Sequence, residues 1–166
     1  MTDQVLEGKT IADSATVLSQ VILPGMTNPA GTAHGGELLK MMDNAAGVCA
    51  TRHSRAIVVT AGIDEITFHE PVSMGNLVTC SAHLTYVGRS SMEIRVSIDA
   101  EDLLSGDQRC CMTAYFVFVA LGQDFTPVQL PPLVFEDEMQ EIMAGEAKAR
   151  MQKRKETPKV CWAPMF

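Results

Sequence analysis

Hydrophobic positions change their spacing along the chain, and the change marks one helix lying between strands. An apolar, partly alternating segment at residues 16–23 predicts a first strand, and a loop rich in glycine and proline follows it. From residue 37 to about residue 53 the apolar positions recur every three or four residues, which predicts an amphipathic helix about 25 Å long. The pair Gly35-Gly36 ends the loop in this interpretation.

Beyond this helix the chain consists mainly of apolar segments separated by turns, which is typical of antiparallel strands. The predicted strands are residues 57–60, 63–68, 77–87, 91–100 and 109–121. The last of them is the most apolar, so we expect it to be central. A charged helix is then predicted at residues 135–155, acidic at its start and basic at its end, as the helix dipole favours.

One helix beside one curved antiparallel sheet buries the apolar face of each, so we predict an α+β fold. Because a single helix cannot cover every edge and face of the sheet, we also expect a dimer formed by strand pairing, and a higher assembly. The predicted organisation is a loose N-terminus at residues 1–12, one domain at 13–133, and a charged helix and tail at 134–166.

Composition narrows the possible functions. The 166 residues carry a net charge of -7 and only 5% aromatic residues, which argues against nucleic acid as a partner. No run of about 18 apolar residues occurs, so we expect no membrane span. The odd number of cysteines, five, and the lack of an N-terminal hydrophobic signal favour buried thiols and a cytoplasmic location.

The loop at residues 28–36 leads directly into the predicted helix. A helix N-terminus presents unpaired backbone N–H groups, and glycines let a ligand oxygen approach them closely. Gly35 and Gly36 are therefore candidates for polarising a carbonyl group. The alternative is that they only permit a tight turn or close packing of the helix on the sheet.

Asp43 is the candidate catalytic carboxylate. On a helical wheel it lies at the edge of the apolar face, next to the small residues Gly36, Gly47 and Ala50. A carboxylate in a narrow crevice can activate water as a general base. The alternative is a solvated aspartate at the edge of a helix.

Gly88, Arg89, Ser90 and Ser91 form a turn between two predicted strands. A guanidinium, hydroxyls and turn amides can together bind a phosphate, although a plain hairpin corner fits the pattern equally well. The basic end of the last helix, with Lys159 beyond it, is a second cationic surface, for which simple solvation is the commoner explanation.

Other catalytic classes have little support. The histidines show no metal-binding spacing, so we expect no metal, and no serine-hydrolase elbow occurs. We likewise expect no cofactor.

Several motifs together carry a resemblance to a known family. They are Asn28, Gly31, His34-Gly35-Gly36, Asp43, Phe68-x-x-Pro71, Gly75 and Gly88-Arg89-Ser90-Ser91-Met92. In this combination they resemble the hotdog-fold acyl-CoA thioesterases, in particular the bacterial YciA-type enzymes and the cytosolic acyl-CoA hydrolases. The resemblance implies a curved antiparallel sheet wrapped around a central helix, and hydrolysis of acyl-CoA to a fatty acid and coenzyme A.

The resemblance also implies roles for individual residues. Asp43 matches the catalytic carboxylate, which acts as general base or nucleophile, and Asn28 matches its polar partner from the other side of a dimer interface. Gly36 matches the backbone N–H that polarises the thioester carbonyl. Pro29, directly after Asn28, departs from the pattern because it removes a backbone donor.

Substrate binding is implied for two further groups of residues. His34, Gly35 and Thr60 are expected to line the acyl-CoA pocket, and residues 88–91 to contact coenzyme A, which is part of the substrate. Trimers of dimers are common in the family, so a homo-oligomer of this kind is expected.

Two other functions fit the same layout. A dehydratase acting on 3-hydroxyacyl thioesters would use His34 with Asp43. A hotdog module without catalytic activity would bind acyl-CoA and release no product.

Overall fold

A long helix and five long strands form the framework of the molecule. The computed structural model describes residues 6–157. In chain order its elements are β1 (Lys9–Thr10), β2 (Thr16–Val21), a short 3-10 helix (Pro24–Met26), α1 (Gly35–Ser54), β3 (Ile57–Phe68), β4 (Leu77–Val87), β5 (Ser91–Glu101), β6 (Gln108–Leu121), β7 (Leu133–Val134) and α2 (Glu138–Glu156). Within the described part of the chain, neither helix combines the length and apolarity needed to cross a bilayer.

The five long strands form one antiparallel sheet in the order β2-β4-β5-β6-β3, and α1 packs against one of its faces. The buried core joins Met42 and Cys49 of α1 to Leu84, Ile94 and Phe116 of the sheet. This arrangement confirms the predicted α+β fold. The central strand, however, is β5 and not the more apolar β6, because β3 pairs along the outer side of β6.

Residues 57–60 and 63–68, predicted as two strands, form the single strand β3. Irregularities in its pairing with β6 fall between Thr60 and Gly62 and between Asp64 and Thr67. Glu65, in the second of these, has a left-handed backbone with φ of 50°. Bulges of this kind let a strand continue through residues that break strict alternation.

As an edge strand, β3 leaves one side of its backbone without a partner strand. Four of its apolar side chains are exposed, namely Ile57, Val59, Ile66 and Phe68. A long apolar edge of this kind is a ready template for pairing with another strand.

The second helix, α2, lies on the opposite face of the sheet from α1. Side chains alternate along β5, so Ile94 faces α1 and Glu93 faces away. Glu93 is fully buried, and the Arg150 guanidinium of α2 reaches its Oε1 at 2.7 Å. The Asp137 side chain accepts a hydrogen bond from Gln140 N, so α2 begins at Glu138 and not at residue 135 as predicted.

Two cations at the basic end of α2 are used inside the fold. Arg150 pairs with Glu93, and Arg154 pairs with Asp64 of β3. They are therefore not free to bind a phosphorylated ligand, as the sequence had allowed. Lys159 lies outside the described residues.

The N-terminal segment is more ordered than expected. Lys9 and Thr10 form β1, which pairs in parallel with β7. The Lys9 ammonium donates to the carbonyl oxygens of Arg52 and His53 at 3.1 and 2.7 Å, and so satisfies free carbonyl groups at the end of α1. Residues 9–10 are therefore not loose, while the domain boundaries themselves stay a prediction.

Three of the cysteines behave as small core residues, as predicted. Cys49, Cys80 and Cys111 are buried, and burial raises the pKa of the Cys49 and Cys80 thiols to about 12. Cys110 is exposed. Cys161 lies outside the described residues.

Candidate active site

Asp43 lies at the margin of α1, where the helix meets the edge strand. Its side chain is half-buried, and its Oδ1 accepts a hydrogen bond from the Thr60 hydroxyl at 2.8 Å. Within residues 6–157, Asp43 has no other hydrogen bond or ion pair through its side chain. One carboxylate oxygen is thus oriented by Thr60 and the other is available to take a proton.

Asp43 and Thr60 open into a cleft of about 480 Å³, which we call the Asp43 cleft. The cleft follows α1 toward its C-terminal end. Its other lining residues are Asn44, Gly47, Val48, Thr51, Arg52, Arg55, Val58 and Phe118. A carboxylate at one end of a largely apolar groove is the arrangement expected for a small-molecule site.

Asn28 lies in a different place. Its Oδ1 accepts hydrogen bonds from the backbone N–H groups of Ala30 and Thr32 at 2.9 and 3.3 Å, and its Nδ2 donates to the Thr32 hydroxyl at 3.0 Å. These contacts shape the loop before α1. They require no N–H from Pro29, so the departure at that position does not disturb the turn.

Asn28 lines a second cleft of about 390 Å³, the Asn28 cleft, together with Gly35, Phe68, His69 and Glu70 among others. The two clefts share no lining residue. Within one chain, the structure therefore brings Asp43 to Thr60 and Asn28 to Gly35, but does not bring Asn28 to Asp43.

The glycine pair belongs to the helix and does not end the loop before it. His34 caps α1, and its Nδ1 accepts the hydrogen bond donated by Gly36 N at 3.0 Å. A Cβ at Gly35 would lie 3.1 Å from the Phe68 ring, so this glycine permits close packing of the helix on β3. Each interpretation of the pair thus applies to one of its members. Gly35 permits close packing, and the Gly36 N–H points out of the helix start but donates to His34.

Gly36 and Asp43 lie on the same side of α1 but are seven residues apart. Two helical turns separate them by about 10 Å along the axis. A thioester carbonyl that accepts from Gly36 N–H is therefore too far from Asp43 of the same chain for that carboxylate to activate the attacking water. One chain alone does not complete a site that uses both groups.

Residues 88–91 form the hairpin between β4 and β5. Gly88 N donates to Ser91 O at 2.8 Å, while the carbonyl oxygens of Ser90 and Arg89 accept from Ala120 N and Leu130 N. The Arg89 side chain is exposed, and none of residues 88–91 lines either cleft. The structure therefore does not bring this turn to Asp43 within one chain.

Sequence reasoning missed a cationic cluster at the C-terminal end of α1. Arg52 and Arg55 line the Asp43 cleft, and Lys9 lies beside them. Burial and the neighbouring Arg55 cation lower the pKa of Lys9, while Asp13 acts in the opposite direction. The signal was present in the sequence, because Asp43, Gly47, Thr51 and Arg55 recur every four residues along one side of the helix.

The chain matches known proteins along most of its length. Residues 30–106 match the model of the thioesterase superfamily. A curated relative, an uncharacterised acyl-CoA thioester hydrolase of Bacillus subtilis, is 34% identical over 143 residues, which cover 86% of this chain and 83% of the relative. The cytosolic acyl coenzyme A thioester hydrolase of Rattus norvegicus is also 34% identical, over 87% of this chain, but the match spans only 38% of that longer protein.

Solved structures show the same fold. An acyl-CoA hydrolase from Staphylococcus aureus, in complex with butyryl coenzyme A, coenzyme A and coenzyme A disulfide, has 31% identity and a TM-score of 0.82 over 89% of this chain and 90% of its own. The hexameric thioesterase from Yersinia pestis has 30% identity and a TM-score of 0.66 over 70% of this chain and 94% of its own. An apo-hexameric acyl-CoA thioesterase reaches a TM-score of 0.87 at 28% identity, over 91% of this chain and 97% of its own.

Fold and matches together define a hotdog protein of the thioesterase superfamily. Within that superfamily, the chain belongs to the acyl-CoA thioester hydrolase family.

Proposed function

We propose that this chain hydrolyses acyl-CoA thioesters to a carboxylic acid and coenzyme A. The observation that carries the proposal is the Asp43 carboxylate, which is oriented by the Thr60 hydroxyl at 2.8 Å and opens into a cleft with apolar walls. A thioester is already activated toward attack, so an oriented water, a base and a donor for the developing oxyanion are sufficient. On this proposal the reaction requires no metal and no cofactor.

The free oxygen of Asp43 takes a proton from water as the water oxygen attacks the carbonyl carbon. The tetrahedral intermediate collapses, the carbon–sulfur bond breaks, and the proton held by Asp43 passes to the leaving sulfur. The products are the carboxylic acid and the free thiol of coenzyme A. Thr60 keeps the carboxylate facing the cleft during both proton transfers.

The active site is completed by a second copy of the chain. The first half of β3 carries Val58 and Thr60 of the Asp43 cleft, whereas its last residue, Phe68, lines the Asn28 cleft. If the exposed edges of two β3 strands pair in antiparallel fashion, the first half of one lies beside the last half of the other. The Asp43 cleft of one protomer then adjoins the Asn28 cleft of its partner.

The pairing also covers the exposed apolar side chains of β3. Asn28 would position the thioester or the water from the partner side of this joint site. Three such dimers would give the hexamer that solved relatives form. We also propose a cytoplasmic location, because one relative is named a cytosolic enzyme.

The oxyanion donor needs a small rearrangement. Gly36 N–H is directed at the His34 ring, so it can polarise a substrate carbonyl only after that imidazole turns away. Gly35 N–H has no acceptor among residues 6–157 and is a second donor at the same helix end. On this proposal residues 88–91 contact coenzyme A in the assembled enzyme, where the exposed Arg89 would offer a cation for its phosphates.

The structure gives the dehydratase alternative no specific support. His34 Nδ1 accepts the hydrogen bond from Gly36 N as the helix cap, so this nitrogen is not free to take a proton from a substrate. The binding-module alternative differs only in lacking turnover.

Measuring free thiol release from a panel that runs from acetyl-CoA to long-chain acyl-CoA tests the proposal. We expect turnover of at least one member. Tight binding of the panel without thiol release would favour the binding module, and release of water from a 3-hydroxyacyl-CoA would favour the dehydratase.

A further inference from the structure

Two arginine side chains line the end of the Asp43 cleft that is farthest from Asp43. The cleft runs along α1 from Asp43, past Gly47 and Val48, to Arg52 and Arg55 at the C-terminal end of the helix. Between Asp43 and Arg52 the helix rises about 13 Å. The groove therefore joins the candidate base to a cationic end over the length of a medium acyl chain.

Arg55 is the cation of this end that the fold does not use. Its backbone is left-handed, with φ of 52°, and its N–H caps α1 on Thr51 O, but its guanidinium has no hydrogen bond or ion pair with any residue from 6 to 157. Arg52, in contrast, donates from Nη1 to Ala15 O at 2.8 Å and to the Thr16 hydroxyl at 3.2 Å.

Two acidic groups lie near the cluster, but neither forms an ion pair with Arg55 within residues 6–157. Lys9, Arg52 and Arg55 share a neighbouring recess with Glu7 and Asp13. The Asp13 carboxylate is used by the backbone N–H and hydroxyl of Thr10, at 2.8 and 3.0 Å. An anion arriving through the Asp43 cleft would meet an unpaired guanidinium.

The walls between the two ends favour a hydrocarbon chain. Val48, Val58 and Phe118 offer no hydrogen bonds from their side chains, and a Cβ at Gly47 would lie only 3.8 Å from the Phe118 ring. The pantetheine arm of coenzyme A carries two amides, for which only Asn44 and Thr51 offer side-chain partners between the two ends of the cleft. An alkyl chain needs no hydrogen-bond partner and can pack against Val48, Val58 and Phe118.

We infer that the Asp43 cleft takes the acyl chain and that Arg55 binds an anionic group at its far end, so that the substrate class includes coenzyme A thioesters of dicarboxylic acids. This inference rests on the proposed thioester hydrolysis. Arg55 is a specificity-determining residue in this scheme, and Arg52 contributes charge from its fixed position.

The test compares substrates that are matched in length and differ only at the chain end. Thiol release is measured for sebacoyl-CoA against decanoyl-CoA and for dodecanedioyl-CoA against dodecanoyl-CoA, whose chains are long enough to span the groove. In at least one pair, we expect kcat/KM to be about tenfold higher for the dicarboxylic substrate than for the monocarboxylic substrate of the same length. A difference of this size corresponds to one charge-assisted hydrogen bond. The preference should decline as salt is raised, because the guanidinium is exposed.

Three variants locate the effect. Arg55→Gln should lower the ratio of the two kcat/KM values about tenfold, and Arg55→Lys should retain part of it. Lys40→Gln, which removes an exposed cation elsewhere on α1, is the matched control and should leave the ratio unchanged. Because the readout is a ratio within one preparation, a partly unfolded variant does not obscure it.

Two results would overturn the inference while leaving the proposed hydrolysis intact. One is a wild-type ratio of one or less in both pairs. The other is an equal loss for both members in Arg55→Gln that disappears with acyl-pantetheine substrates, because Arg55 would then bind a phosphate of coenzyme A. Absence of thiol release from every substrate would instead contradict the proposed hydrolysis, and the inference would fall with it.

Discussion

One carboxylate lies on each side of the sheet, and the two differ in how their oxygens are bound. Glu93, under α2, is fully buried, and its oxygens accept hydrogen bonds from Arg150 at 2.7 Å and from the Thr85 hydroxyl at 2.8 Å. Asp43, on α1, is half-buried and has a single hydroxyl partner. Both oxygens of Glu93 are engaged, since Oε2 also accepts from Arg150 Nε at 3.3 Å, whereas Asp43 keeps one oxygen free.

On the proposed mechanism, this difference in partners separates a structural carboxylate from a reactive one more clearly than burial does. The Arg150 guanidinium also lies 3.9 Å from the centre of the Tyr115 ring, so the pair beneath α2 is enclosed on several sides. A buried carboxylate that is fully paired attaches a helix to a sheet. A carboxylate at a cleft with one orienting partner is free to exchange a proton with water.

The largest expected effect is on catalysis. Asp43→Asn keeps the shape and the Thr60 contact but removes the base, so we expect kcat to fall at least about 100-fold with the melting temperature nearly unchanged. Thiol release and thermal unfolding measure the two quantities. Lys40→Ala, on an exposed side of the same helix, is the control, and near-normal turnover of Asp43→Asn would exclude Asp43 from the mechanism.

The matching change beneath α2 should affect stability instead. Glu93→Ala leaves the largely buried Arg150 cation without its partner, so we expect a loss of about 3 kcal/mol in the free energy of unfolding. Urea unfolding measures it, with Glu141→Ala on the exposed face of α2 as the control. Replacing both partners, as in Glu93→Leu with Arg150→Met, should recover most of the lost stability. A double variant as unstable as Glu93→Ala would contradict this account.

Removing only the orienting hydroxyl should have a smaller effect. Thr60→Val preserves the shape of the side chain but frees the Asp43 carboxylate to rotate, so we expect kcat to fall about tenfold, the value of one hydrogen bond. KM should change less than kcat. Thr67→Val, at an exposed position of the same strand, is the comparison, and an equal loss in both variants would show that β3 and not the hydroxyl is responsible.

The smallest effect is expected at the helix cap. His34→Ala removes the acceptor for Gly36 N–H, which should cost about 1 kcal/mol of stability. It also leaves that N–H free for a substrate carbonyl, so kcat should be retained or raised. His34→Asn, which can still cap α1, should recover the stability, and loss of thiol release in both variants would contradict this account by giving His34 a direct role in hydrolysis.

The sequence predicted the fold class and named Asp43 as the candidate base. The spacing of three and four placed Asp43 at the margin of α1, and alternation placed β4, β5 and β6 within a residue or two of their observed ends. These features depend on local periodicity, which a sequence displays directly. The family resemblance added Asn28 and Thr60, which no periodic pattern would have selected.

Other features depend on contacts between distant segments. The pairing of Glu93 with Arg150 joins residues 57 positions apart, and charge patterning alone assigned Arg150 to the solvent or to a ligand. The occupied Gly36 N–H depends on the rotamer of His34. The position of Arg55 in the cleft depends on where α1 ends, which is the least certain part of any helix prediction.

The central claim is that Asp43 acts in a site completed by Asn28 of a second chain, and mixing two inactive variants tests it. Asp43→Ala and Asn28→Ala are refolded together in equal amounts, so that half of the dimers contain one chain of each. Each mixed dimer then holds one intact site, and thiol release should recover to about one quarter of the wild-type value. A mixture no more active than the average of the two separate variants would contradict the account.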